Sequence, residues 1–265
     1  TWTATNRFPE QPVKLRIQAL YSAYPYEDEE GPVLADFSKD DKFVSRGSAG
    51  QVSATFKPAS PMIGGGRAGG RFSAVNGRES PEGAWTRMEK VFDPVVNMTP
   101  HDAVGLWVHG DGKGQLLNLQ LTNLPEYFRT IDDHYVKVDF QGWRYFELLM
   151  RERDAAAYHD YKWPYGAHCV LHRSPLVRPV VSKLTLYLNN LPPGDEATCY
   201  LSPVKALRTR KVVLHDPSIT VGDRKLVFPV DLESGMYLEF ESAHDCRLYD
   251  ERGNLLKRLE PVGVV

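Results

Sequence analysis

The run Val104-Gly105-Leu106-Trp107-Val108-His109-Gly110-Asp111-Gly112-Lys113-Gly114-Gln115-Leu116-Leu117-Asn118-Leu119-Gln120-Leu121 decides the fold class. Val104, Leu106 and Val108 fall on one side of an extended chain, with Gly105, Trp107 and His109 on the other. After the glycine-rich break, Leu117, Leu119 and Leu121 alternate with Asn118 and Gln120. Alternation of this kind marks strands with one face for a core and one for polar groups. The break itself reads as a hairpin loop, because glycine supplies the positive φ that tight turns need.

The pattern repeats outward along the chain. Val136, Val138 and Phe140 oppose Tyr135, Lys137 and Asp139; Leu184, Leu186 and Leu188 oppose Thr185 and Tyr187; Met236, Leu238 and Phe240 oppose Tyr237, Glu239 and Glu241. Asp250-Glu251-Arg252-Gly253-Asn254 reads as a turn between Cys246–Tyr249 and Leu255–Leu259. Helical periodicity is nearly absent, with short candidates only at Arg87–Phe92 and Arg151–Ala157. Many short strands with Gly, Pro and Asn between them predict an all-β, antiparallel two-sheet sandwich.

Composition agrees. The 265 residues contain 21 Gly and 19 Pro, and 11% are aromatic, which favours strands and turns over a helical bundle. A formal net charge of −2 gives no electrostatic case for nucleic acid, and no apolar run is long enough to span a membrane. A first residue of Thr rather than Met suggests an excised or processed chain. Three widely spaced cysteines, Cys169, Cys199 and Cys246, lack metal-site spacing and read as small core residues. By composition and turn signals the chain divides into 1–30, an N-terminal strand and acidic loop; 31–204, the sandwich; and 205–265, a small β-strand extension or a subdomain of its own. The basic stretch Lys205–Lys211 follows a last sandwich strand ending near Pro203. The N-terminal strand is free to pair with either part.

The chemical motifs are few. Gly64-Gly65-Gly66-Arg67-Ala68-Gly69 fits a dinucleotide pattern, but it is followed by a strand-like run rather than a helix and reads as a flexible loop. Asn97-Met98-Thr99 is a glycosylation sequon. The densest stretch is Tyr158-His159-Asp160-Tyr161-Lys162-Trp163-Pro164-Tyr165, with His168 and His172 after it. So many amphipathic rings broken by Pro and Gly suit a sugar, whose ring has an apolar face and a hydroxyl rim. A second cluster is a polar sheet face made from Trp107, His109, Asn118, Gln120, Tyr135, Lys137, Asp139, Thr185 and Tyr187. Arg129 with His134, and Trp85 with Arg87, form two mixed-charge loops. From these clusters the candidate ligand-binding residues are Tyr158, His159, Tyr161, Trp163, Tyr165, Trp85, Asn118, Gln120, Arg129 and Tyr187; no catalytic residue is assigned.

The order of Val33-Leu34-Ala35-Asp36-Phe37, Gly70-Arg71-Phe72-Ser73-Ala74-Val75, Gly105–Gly112 and Phe140-Gln141-Gly142-Trp143-Arg144-Tyr145-Phe146 resembles galactose-binding-domain-like jelly rolls. These include carbohydrate-binding modules attached to polysaccharide-degrading enzymes. Over residues 31–204 the resemblance implies a non-catalytic module that holds a glycan by aromatic stacking and hydrogen bonds. It also implies a structural Ca²⁺ with Asp36 as its ligand, tethering to catalytic or other domains, and an extracellular or periplasmic location. Two alternatives stand beside it. One is a jelly-roll polysaccharide lyase or glycoside hydrolase using Tyr, His and Asp of 158–172. The other is an interaction domain that binds a protein through the same aromatic surface.

Overall fold

The structure is a computed structural model, and it describes residues 15–28, 30–43, 45–59, 69–123, 130–149, 176–242 and 245–263. The chain divides into two compact units, Ala23–Thr209 and a second formed by Thr1–Ser22 with Arg210–Val265. Among the described residues no helix is long and apolar enough to cross a membrane.

The larger unit is an antiparallel sandwich of jelly-roll type. Its strands are β1 (Val33–Ala35), β2 (Ser45–Ser48), β3 (Val52–Ala59), β4 (Gly69–Asn76), β5 (Trp85–Val96), β6 (Ala103–Asp111), β7 (Leu116–Asn123), β8 (Ile131–Lys137), β9 (Gln141–Leu149), β10 (Val181–Asn189), β11 (Glu196–Leu201) and β12 (Val204–Leu207). One sheet has five strands in the order β8-β7-β10-β5-β2. The other has seven: β1-β12-β6-β11-β4-β3, with β9 paired along the other side of β6. Leu117, Leu119, Leu121, Leu184, Leu186, Leu188 and Met88 face Val104, Leu106, Val108, Phe72, Cys199 and Leu201 in one buried cluster. Alternation in the sequence thus became the inner faces of two sheets, and burying them supplies the main driving force for folding.

Three sequence expectations need correction. The segment Gly110–Gly114 is not a hairpin loop: β6 belongs to the seven-stranded sheet and β7 to the five-stranded one. The glycine-rich segment carries the chain across the sandwich edge, with Gly112 and Gly114 at φ of 80° and 85°. Leu117, Leu119 and Leu121 therefore face Val104, Leu106 and Val108 across the core instead of lying beside them. Arg87–Phe92 is not helical but the middle of β5, paired with β10 on one side and, over Arg87–Glu89, with β2 on the other. The basic stretch from Lys205 does not follow the last sandwich strand; it contains β12, which pairs with both β1 and β6.

The smaller unit has its own core of Ala19, Leu226, Phe228, Val230, Leu232, Leu238, Cys246 and Leu248. The N-terminal strand Leu15–Gln18 pairs with Tyr237–Ser242, which continues into Asp245–Tyr249 and Leu255–Leu259. The Asp250–Asn254 turn is a hairpin turn, as its sequence predicts; Asp250 accepts backbone N–H bonds from Arg252 and Asn254. Cys199 and Cys246 are buried free thiols, each with its pKa raised by burial, Cys246 to about 11. Cys169 lies outside the described residues, as do Gly64–Ala68 and Arg151–Ala157.

Candidate functional site

The outer face of the five-stranded sheet is built by register. Strand pairing aligns residues into cross-strand rows, one running Glu89–Thr185–Gln120–Asp133 and the next Arg87–Tyr187–Asn118–Tyr135. Flanking rows are Val91–Lys183–Thr122–Ile131 and Trp85–Asn189–Leu116–Lys137. Each of these residues alternates with an inward partner such as Leu184, Leu186, Leu117 or Leu119, so the aliphatic inner face fixes the polar outer one. Five strands make a face about 19 Å wide.

This face is polar and yet mostly buried. Asn118 is 0% exposed, Thr185 1%, Tyr187 3% and Gln120 6%. Thr122 Oγ1, Thr185 Oγ1 and both amide atoms of Asn189 have no hydrogen-bond partner among the described residues. A buried polar atom left unpaired costs about 1–3 kcal/mol, so each of these atoms is a place where a further polar partner would be stabilising.

The rim near β5 is partly exposed and ordered by charge. Glu89 bridges two cations, with Lys183 Nζ at 3.1 Å and Arg87 Nη1 at 3.5 Å. Arg87 also donates to Tyr187 Oη at 3.4 Å, and its guanidinium lies 5.8 Å from the Trp85 ring centroid. Trp85 and Tyr187 are tilted neighbours with centroids 6.1 Å apart. A pocket of about 350 Å³ opens here, lined by Arg87, Glu89, Gln120, Thr122, Lys183 and Tyr187 among others. Its end wall is pinned by Asn123, whose amide donates to the carbonyls of Val177 and Val180. A register shift between Val181 and Lys183 lies beside the pocket, where bulges commonly re-aim side chains.

At the opposite edge, burial pushes the Asp133 carboxyl up to about 6, against the opposing pull of the neighbouring Gln120 and Asn118 amides and of His134. Asp132 and His134 are on the other side of β8, with His134 Nε2 3.0 Å from Asp132 Oδ2 and both side chains 2% exposed.

Of the sequence candidates, Trp85, Asn118, Gln120 and Tyr187 converge on this face. Tyr158, His159, Tyr161, Trp163, Tyr165 and Arg129 lie outside the described residues. Trp107 and His109, expected on the same face, are in the other sheet because the chain crosses over at Gly110–Gly114. Trp85 with Arg87 is in strand β5 instead of a loop. Glu89, Thr122, Asp133 and Lys183 also belong to this face and are not among the sequence candidates. Period-two alternation flags each, but only the strand order places them together.

Asp36 closes β1. Its Oδ1 accepts the Ser38 N–H at 2.9 Å and its carboxyl is held below the usual range, chiefly by that bond. Asp41 Oδ2 accepts the N–H groups of Asp36 and Phe37, and its Oδ1 pairs with Lys90. These carboxylates stabilise a turn. Among the described residues no three His, Cys, Asp or Glu converge to hold a metal.

No protein-family model matches the chain, and a comparison with curated proteins gives no match. Similar solved structures include a family 11 carbohydrate-binding module from Clostridium thermocellum in complex with a β-1,3-1,4-mixed-linked tetrasaccharide. It is 9% identical, with a TM-score of 0.46, over 66% of this chain and 94% of that one. A family 30 carbohydrate-binding module of a cellulosomal cellulase from the same organism is 13% identical, with a TM-score of 0.41, over 64% and 94%. An exo-β-agarase is 11% identical, with a TM-score of 0.41, over 67% of this chain and 24% of that one. The sandwich assignment rests on the chain's own strand pairing.

Proposed function

We propose that the chain binds carbohydrate without catalysis, through the outer face of its five-stranded sheet. The supporting observation is a buried polar face whose unpaired hydroxyl and amide atoms lie beside aromatic rings and a bridged ion pair. Sugar hydroxyls both donate and accept, so a glycan can complete Thr122, Thr185 and Asn189, with Gln120 lining the pocket beside them. Trp85 and Tyr187 offer flat surfaces for the C–H face of a pyranose. Secretion and attachment to a polysaccharide-degrading enzyme belong to this proposal, since isolated modules gain from tethering near their polysaccharide.

Among the described residues of this face, the register favours binding over a two-carboxylate hydrolysis. Asp133, with its raised pKa, suits a general acid. The other carboxylate of its row, Glu89, is three strand spacings away. That is about 14 Å, beyond the ~5–9.5 Å between the two carboxyls of a glycosidase. Calorimetry against tetrasaccharides of glucose, mannose, xylose and galactose, with a product assay on the parent polysaccharides, tests the proposal. Binding without products is the expected result. Products, or no binding at millimolar sugar, would overturn it.

A further inference from the structure

The outer face of the seven-stranded sheet is divided in two. At one end Tyr26 covers it: its ring is 6.0 Å from Tyr145, which is 5.4 Å from Trp107. These rings close a small cluster with Ala103 and Leu207. The adjacent row is different. Register aligns Lys57, Arg71, Tyr200, His109 and Trp143 across β3, β4, β11, β6 and β9. Lys57 is exposed and the other four are partly exposed. His109 sits between two rings that meet it edge-on, Trp143 at 5.2 Å and Tyr200 at 5.7 Å. Arg71 continues the row and is paired with Glu196 at 3.1 Å.

We propose that this row is a second glycan-binding surface, taking a neutral chain laid across the strands. The proposal rests on the carbohydrate-binding reading given above. Three adjacent partly exposed rings provide stacking platforms with polar edges. The row contains no Leu, Ile, Val or Met, the side chains that would anchor a docked helix. Arg71 and Glu196 neutralise each other, which leaves Lys57 as the cation of the row without a partner in it; a nucleic-acid backbone calls for several. A paired guanidinium and carboxylate present both donors and acceptors to sugar hydroxyls. Trp143 and Tyr200 are two strand spacings apart, about 9–10 Å, on the scale of a disaccharide.

The two surfaces are on opposite outer faces of one sandwich, so a single short oligosaccharide cannot reach both. The chain would hold two glycan strands at once and gain avidity on an insoluble polysaccharide. The test is the stoichiometry of calorimetric titration with whichever of the four tetrasaccharides binds, for the full chain and for Trp143→Ala, Tyr200→Leu and Gln120→Ala. Melting curves confirm that each variant is folded, and Tyr200→Leu keeps apolar bulk in case Trp143→Ala does not fold. The proposal expects two sites per chain in the parent. It expects one site in each variant, and about tenfold less retention on the insoluble polysaccharide. One site in the parent, lost in Gln120→Ala and untouched in Tyr200→Leu, overturns the second surface and leaves the first standing. Absence of binding in every form overturns both.

Discussion

The two faces of the five-stranded sheet are buried alike and built from opposite chemistry. Leu119 and Leu186 on the inner face are 1% and 0% exposed; Asn118 and Thr185 on the outer face are 0% and 1%. The inner face gains by burial through its leucines and Met88, whose side chains prefer contact with one another to water. The outer face loses by it wherever a hydroxyl or carboxyl lacks a partner. Burial alone therefore cannot tell a core from a binding surface. What distinguishes them is whether the buried groups are satisfied, and the unsatisfied face is where a polar ligand has most to offer.

The largest effect that tests this contrast is on the inner face. Leu186→Ala should destabilise the sandwich by about 2–5 kcal/mol, measured by denaturant unfolding, with glycan affinity kept in the folded fraction. A loss below about 1 kcal/mol would mean that the inner face is not a close-packed core.

Next comes Asp133. Its pKa rises from 3.8 to about 6 on folding, so the folded chain holds this proton more tightly than the unfolded one. The associated stability is complete below pH 4 and is lost as pH rises through 6. The change is on the order of 3 kcal/mol at 1.36 kcal/mol per pKa unit. Asp133→Asn should flatten unfolding free energy between pH 4 and 7. An unchanged pH profile in that variant would place the titrating group elsewhere.

The smallest effect on stability is expected at Thr185. Its Oγ1 is buried without a partner among the described residues, so Thr185→Val should be neutral or stabilising by up to about 1 kcal/mol. Its glycan affinity should fall, by about tenfold for one lost hydrogen bond of ~1.4 kcal/mol. Destabilisation together with full affinity would reverse the assignment of this face.

These contrasts were partly legible in the sequence. Alternation through Asn118, Gln120, Thr185 and Tyr187 placed polar groups opposite leucines before any pairing was known. Strand order was not legible, because a Gly-rich turn serves a hairpin and a sheet-to-sheet crossing equally well. For that reason alternation alone puts Trp107 and His109 beside Asn118 and Gln120, whereas the strand order puts them in the other sheet. Glu89 and Lys183 look like ordinary surface charges until register brings them within 3.1 Å. The charged run Arg87-Met88-Glu89-Lys90 mimics a helical turn, and its strand state is set by pairing with β10 and β2, a tertiary effect that local propensity does not contain.

The most direct measurement of the central claim is an NMR titration that follows the side-chain amide signals of Asn118, Gln120 and Asn189 as the bound tetrasaccharide is added. Shifts of these amides, saturating with the calorimetric affinity while core leucine methyls stay in place, are the predicted result. Saturable binding that leaves all three amides unmoved would contradict it.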